Sequence, residues 1–527
     1  MTLHPNWLAV PIVLPMLAAA LSLAFVRWGY RTAVMWQRRT ALLAVSANLI
    51  VALMLLVYTL GDNRLALQMG GWPAPFGITV FADGLTAILL TLTGILAAAT
   101  VPYAIGTLDQ RARMNFYPLL LFLLMGVNGA YLSGDLFNLY VFFEVLLMAS
   151  FVLLTLGGQA GQINGGIRYV VLNLLSSLIF LTAAGIAYGT LGTLNFAQLA
   201  QRMNQAPPAI QVLLAGLFLL VFSTKAGLFP LFFWLPSSYH TPHPAVTAFF
   251  GGVLTKVGIY SLFRIFPLLF PTYLAAWQPL ILAIAGLTML TGVFGAMAVN
   301  TMRRVLSFHI ISQVGYMVMG LGLATGGNQL AAGFGMAAGI LYLVHHMIVK
   351  SALLMSGGAA EIEVGSGSLL QSRLAGLASR RPALSVIFFL SAFSLAGIPP
   401  SSGFISKLSL LQAALDSNHW LIATVSLVVS ALTLISMARL WQAAYWGESS
   451  SPIYPTAPLT QPYRRWMTLG PIALLVALSL AIGLFSGPIF RLSNVAAQQV
   501  LDREGYITTV APTDEILEMG EAKEGKE

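Results

Sequence analysis

Along most of the chain, apolar stretches of about twenty residues alternate with short polar breaks, and that length is what a helix needs to cross a bilayer. The pattern predicts about fourteen membrane-spanning helices. The first seven lie near 7–26, 40–60, 79–105, 114–133, 136–157, 168–190 and 209–232. The second seven lie near 243–266, 275–298, 304–324, 329–356, 382–412, 419–445 and 467–489. No soluble domain fits between them. Residues 1–491 therefore read as one all-α polytopic membrane domain, and 492–527 as an acidic tail, external and poorly ordered. The first run lacks the basic leader and small-residue cleavage site of a secretory signal, so it reads as a retained span.

Composition agrees. Of the 527 residues, 58% are hydrophobic and 8% charged, against about a quarter charged in a soluble domain. Cysteine is absent, which excludes disulfides, thiolate metal sites, cysteine nucleophiles and the usual iron–sulfur ligation. No phosphate-binding loop, dinucleotide fingerprint or HExxH zinc motif is present, so neither an enzyme active site nor a cofactor is expected.

The net charge of +9 belongs to topology, not to nucleic-acid binding. Arginines gather in the loops after odd-numbered spans, among them Arg27, Arg31, Arg38, Arg111, Arg168, Arg303, Arg373, Arg381 and Arg464. Loops after even-numbered spans hold only Arg64, Arg202 and Arg264. The positive-inside rule then places both termini outside.

Two spans are interrupted alike. Phe222-Ser223-Thr224-Lys225-Ala226-Gly227-Leu228-Phe229-Pro230 in span seven resembles Phe393-Ser394-Leu395-Ala396-Gly397-Ile398-Pro399-Pro400 in span twelve. Five spans apart, they have opposite orientations in the membrane, which is the sequence sign of an inverted-repeat transporter.

Lysine is distributed unlike arginine. Lys225, Lys256, Lys350 and Lys407 all fall inside apolar spans, and the only others, Lys523 and Lys526, lie in the tail. A desolvated ammonium gives up its proton readily, whereas a guanidinium effectively never does. Glu144, about two turns into span five, has to be protonated, paired or hydrated at that depth, and Lys225 is its natural counter-ion. His346 and Lys350 are i,i+4 neighbours on one face of span eleven, suited to successive proton sites. His345, about 100° away, reads equally as a core histidine. His309 reads either as a midplane proton site or as packing polarity. Asp83 and Asp135 lie at span edges, with cation entry as a lesser role. No third ligand accompanies the histidines, so no metal site is expected.

These residues resemble the antiporter-like membrane subunits shared by respiratory complex I, membrane-bound hydrogenases and Mrp-type cation/proton antiporters. The likeness covers about residues 75–445 and rests on Asp135-Leu136-Phe137 leading to Glu144, Lys225 before a broken helix, and Gly397-Ile398-Pro399-Pro400 with Gly403-Phe404 and Lys407. Within the group the chain is most similar to the D-type subunits of the Mrp Na+/H+ antiporters. The indicators are Leu254-Thr255-Lys256-Val257-Gly258, Leu306-Ser307-Phe308-His309 and His345-His346-Met347-Ile348-Val349-Lys350.

The resemblance implies fourteen helices with two inverted five-helix repeats, spans 4–8 (about 114–266) and 9–13 (about 275–445), and broken helices 7 and 12. It also implies a hydrophilic axis Glu144–Lys225–Lys256–His346–Lys350–Lys407 along the membrane plane, with Glu144 and Lys225 as the indispensable pair. It implies a hetero-oligomer with other membrane subunits in a prokaryotic cell membrane, moving protons against Na+, Li+ or K+. The alternative is the same kind of subunit in a redox-driven, complex I-like or hydrogenase-type pump.

Overall fold

In the computed structural model, residues 3–108, 110–325, 329–370, 374–447 and 461–510 are described. Arg373 and the tail beyond Val510 fall outside them. Among the described residues, thirteen helices are long and apolar enough to cross a membrane. They are α1 (Pro5–Trp28), α2 (Tyr30–Thr59), α3 (Gly84–Thr107), α4 (Gln110–Leu132), α5 (Leu136–Thr155), α6 (Ala160–Leu191) and α7 (Pro208–Ala226), then α8 (Pro244–Leu269), α9 (Gln278–Ala298), α10 (Met302–Leu323), α11 (Gln329–Val364), α14 (Trp420–Tyr445) and α15 (Pro462–Leu484). The remaining expected span, 382–412, is split into α12 (Pro382–Ala396) and α13 (Ser402–Asp416). The chain is thus a nearly all-helical multi-span membrane protein.

Helices α8, α10 and α11 are buried along nearly their whole length, while α1, α2, α6, α14 and α15 expose about half or more of theirs. The central trio is held close by small residues, as expected where apolar lipid gives helices no hydrophobic reason to associate. A Cβ on Gly258 of α8 would lie 2.6 Å from the Ala226 amide, so only glycine lets α8 rest against the end of α7.

Both breaks are made locally. Gly227 and Gly397 end α7 and α12 in the left-handed region, at φ +75° and +90°, which a side chain disfavours. Their amides and those of Leu228 and Ile398 turn back onto carbonyls of the last helical turn. Proline at 230, and at 399 and 400, then forbids simple continuation.

Two regions depart from the expected pattern. Residues Thr79–Ala82, expected to begin span three, form β2, which pairs antiparallel with β1 (Leu65–Gln68). Asp83 caps α3 by accepting from Thr86 N at 3.1 Å, and this fixes where the helix starts. Residues 492–510, expected as part of a poorly ordered tail, belong to α16 (Ser486–Leu501) and α17 (Arg503–Val510), which pack onto the body. Gln499 accepts from Gly84 N at 2.7 Å, Arg503 donates to the carbonyls of Leu268 and Ala200, and the Tyr506 ring lies against Phe81.

Candidate functional site

Four of the six axis residues are deeply buried. Lys256, His346 and Lys350 are fully buried and Lys225 nearly so, while Glu144 and Lys407 are half-buried. Helix packing sets their order. On α8 and α11, Pro244 lies against Gly358 and Gly252 against Ser351, so the helices run antiparallel with Lys256 level with His346. On α10 and α11, Leu306 and Met302 meet Gly357 and Gly320 meets Gly339, which places His309 level with Lys350. Gly258, two residues beyond Lys256, touches the backbone of Lys225 and seats α8 against the end of α7.

The ammonium groups are held mainly by neutral oxygens. Lys225 Nζ donates to Asn173 O at 3.1 Å and Ser177 Oγ at 2.9 Å, both on α6. Lys256 Nζ donates to Gly251 O at 2.5 Å, within its own helix. Lys407 Nζ donates to Ala396 O at 2.9 Å and Ser430 Oγ at 3.1 Å. Lys350 Nζ and both ring nitrogens of His346 are buried with no protein hydrogen-bond partner. Such sparse neutral solvation leaves either charge state accessible, which a fixed carboxylate partner would prevent.

The direct Glu144–Lys225 pairing expected from sequence is not formed. Among the described residues the four ion pairs are Arg64–Asp502, Arg264–Asp83, Arg303–Glu361 and Arg381–Glu363. Lys225 Nζ instead sits 5.4 Å over the ring of Phe143. Glu144, the next residue, falls on the outer stripe of α5 with Phe137, Val141, Met148 and Val152, all of them exposed. The rotation of α5 places Glu144 on its outer side, half-buried, with one carboxylate oxygen buried and without a partner.

Space for water is uneven. A pocket of about 10 Å³, roughly one water molecule, adjoins Lys225 and is lined by Phe143, Tyr169, Asn173 and Trp234. A larger cavity of about 620 Å³ lies at the arginine-rich end, lined by Gln159, Gln162, His243 and Arg303 among others. Tyr169, in the wall of the smaller pocket, is hydrogen-bonded to Ser150 at 2.7 Å, about one helical turn from Leu153 in the wall of the larger. His243 caps α8 by accepting from Ala245 N at 3.2 Å, which requires a bare ring nitrogen. Burial and the nearby Arg303 push its pKa down to about 3, so it is neutral in this vestibule.

The secondary candidates separate. His309 donates to or accepts from Ser436 at 2.8 Å, and His345 Nδ1 lies 2.7 Å from Ser402 Oγ. Asp135 caps α5 by accepting from Phe137 N and Asn138 N, and burial outweighs those bonds to raise its pKa. It sits away from the lysines, beside the β1–β2 hairpin, where Ser133 bridges to Val80 and Asp135 itself bridges to Asn195.

Arg264, expected in an external loop, is instead 3% exposed inside α8 and pairs with fully buried Asp83 at 2.7 Å. Burial alone would raise the Asp83 carboxyl, but the guanidinium beside it holds it below the usual range. Its position inside the apolar run Ser261-Leu262-Phe263-Arg264-Ile265-Phe266 was the available signal. The serines that hold the lysines carried no such signal, since a hydroxyl in an apolar span bonds its own helix as readily as a neighbour.

A helical membrane body with a row of buried lysines beside two broken spans is the architecture of an ion-translocating membrane subunit. Residues 133–433 match the transmembrane family described as NADH:quinone oxidoreductase/Mrp antiporter, and the chain belongs to this family. It is 41% identical over 507 residues to the D subunit of the Na(+)/H(+) antiporter of Alkalihalophilus pseudofirmus, covering 96% of this chain and 99% of that one. It is 36% identical over 508 residues to the protein of the same name from Bacillus subtilis, covering 96% and 99%. Its fold is similar to a chain of the Mrp complex from Dietzia sp. DQ12-45-1b, with TM-score 0.87, 32% identity and coverage of 97% and 100%.

Proposed function

We propose that the chain is the proton-translocating membrane subunit of a multisubunit Na+/H+ antiporter. Protons would pass along Glu144, Lys225, Lys256, His346, Lys350 and Lys407, and their passage would drive efflux of Na+, or of Li+ or K+, through the assembly. The observation that carries this reading is the row of membrane-buried lysines, three of them bonded to neutral oxygens and none to a carboxylate. An inert scaffold would be expected to pair such charges or replace them, because each costs several kcal/mol of desolvation at that depth.

The coupling has an adequate physical scale. Neighbouring charges in a partly hydrated path interact by about 4 kcal/mol at 4 Å and an effective dielectric near 20. A typical membrane potential supplies about 2–4 kcal/mol per charge, so moving one proton can reset its neighbour. Glu144 on the outer stripe of α5 would place the acidic end of the axis where another membrane subunit meets it. The broken spans α7 and α12–α13 fit two inverted five-helix repeats, and the arginine distribution fits a prokaryotic cell membrane with both termini outside.

The test is cation-driven proton flux in vesicles containing the whole complex. Glu144→Ala and Lys225→Ala are each expected to lower the flux by about 100-fold or more without loss of assembly. Flux at the wild-type rate in both variants would leave only the scaffold role.

A further inference from the structure

The adjacent histidines of α11 face different neighbours. His346 is level with Lys256 on α8, whereas His345, about 100° further round the helix, faces α13. A Cβ on Gly403 would stand 2.9 Å from His345 Cε1, and Nδ1 of the ring is 2.7 Å from Ser402 Oγ. α13 also carries Lys407, a little over one turn beyond Ser402. An aromatic stack joins the same two groups from the other side. Lys407 Nζ lies 5.4 Å over Tyr316, Tyr316 stacks on Tyr342 at 4.9 Å, and Tyr342 meets His345 edge-on at 5.6 Å. His345 thus stands between the His346–Lys350 face of α11 and the lysine of the second broken span.

Its hydrogen bond is the first of a series. Ser402 Oγ is 2.9 Å from Ser479 Oγ, and Ser479 Oγ is 2.9 Å from Ser394 Oγ. All three serines are buried, and Ser479 belongs to α15, outside the segments expected to form the two repeats. The other ring nitrogen, Nε2, is buried and has no protein partner. A histidine present only for packing needs one hydroxyl. A series of three, contributed by α13, α15 and α12, gives the ring a directional hydrogen bond: if each hydroxyl donates onwards, Nδ1 stays protonated and Nε2 stays a base.

We propose that His345 carries the mobile proton from α11 to Lys407, with Ser402 and Ser479 as positioning residues that keep Nδ1 the donor. The proposal rests on the antiporter reading above and adds the step from the eleventh span to the twelfth. A proton leaves the Lys350 ammonium, crosses over intervening water, and binds Nε2. Lys350 is left as a neutral amine and His345 becomes an imidazolium. The same proton then passes from Nε2 to the neutral amine of Lys407, and the imidazole returns to its starting form. The Nδ1 proton never leaves, because Ser402 accepts its hydrogen bond throughout.

The experiment uses the complete complex in vesicles, with assembly checked for each variant and Lys225→Ala as reference. His345→Ala is expected to lower maximal flux by about 100-fold. Ser479→Ala should lower it about tenfold with the half-saturating cation concentration unchanged. Ser479→Thr should restore it to within about twofold, since the hydroxyl is kept. Wild-type flux in His345→Ala or Ser479→Ala, with Lys225→Ala inactive, overturns the proposal and leaves the antiporter reading standing. Equal loss in Ser479→Ala and Ser479→Thr also overturns it, by showing that Ser479 only packs. Wild-type flux in Lys225→Ala overturns the antiporter reading itself.

Discussion

The two broken spans share a motif and use their lysines differently. α7 ends at Ala226 and α12 at Ala396, each followed by a left-handed glycine and a proline-bearing turn. In the first, Lys225 precedes the turn and reaches sideways to α6, while the indole of Trp234 donates to the last-turn carbonyl of Thr224 at 3.0 Å. In the second, Lys407 follows the turn and reaches back across it to Ala396 O. An indole cannot titrate, so the first break keeps its cap whatever the protonation state of its lysine. The second break is capped by the group that is proposed to gain and lose a proton, with Ser430 Oγ donating to the same carbonyl at 3.1 Å. A helix C-terminus favours a cation, and Lys407 therefore binds its own half-helix more firmly when charged.

That difference can be broken in stages. Removing Lys407 should cost stability as well as flux: Lys407→Ala is expected to lower thermal stability of the purified complex by about 2 kcal/mol, from the lost charge-assisted bond and helix-end attraction. Lys225→Ala should abolish flux with a smaller loss on unfolding, because Trp234 still caps its break. Equal destabilisation by the two would remove the distinction. Alanine at the glycines is the next test. Both Gly227→Ala and Gly397→Ala incur about 1 kcal/mol from the left-handed backbone. Gly397→Ala also drives a methyl to 2.8 Å from Lys407 Cδ, whereas Gly227→Ala meets Leu235 Cδ1 at 3.2 Å. The first should therefore reduce proton flux more than the second, by about fivefold, roughly 1 kcal/mol at the barrier. Smallest is Trp234→Phe, which keeps the ring packing and removes one hydrogen bond, for about 1 kcal/mol of stability and little change in flux.

The spans were readable because length and hydropathy decide them, and the glycine and proline residues that end α7 and α12 announce the breaks directly. The hairpin was not. Thr79-Val80-Phe81-Ala82 is as apolar as the helix that follows, so only the cap at Asp83 separates them, and the partner strand Leu65–Gln68 is four residues long. α16 and α17 were hidden by composition, since the acidic residues that mark the tail lie mostly beyond Val510. At the site, residue type was legible and direction was not. Nothing in the apolar, aromatic run around Glu144 tells which way α5 is turned, and that rotation decides whether Glu144 meets Lys225 or lies on the outer side of the helix. Packing of α11 between α8 and α13 likewise separates the paths of His345 and His346, which the chain shows only as neighbours.

The closing segment has a consequence for synthesis. Asp83 and Arg264 can meet as soon as α8 has been made, but their cover includes Tyr506, which the ribosome delivers roughly 240 residues later. At usual elongation rates that interval is about 12–50 s. During it, the buried pair and the ends of α3 and α8 remain open on one face of a protein already inserted in the membrane. Helices α16 and α17 thus act as a completion seal, and a chain cut short before Arg503 would be inserted, topologically correct and unsealed, a ready mark for quality-control proteolysis.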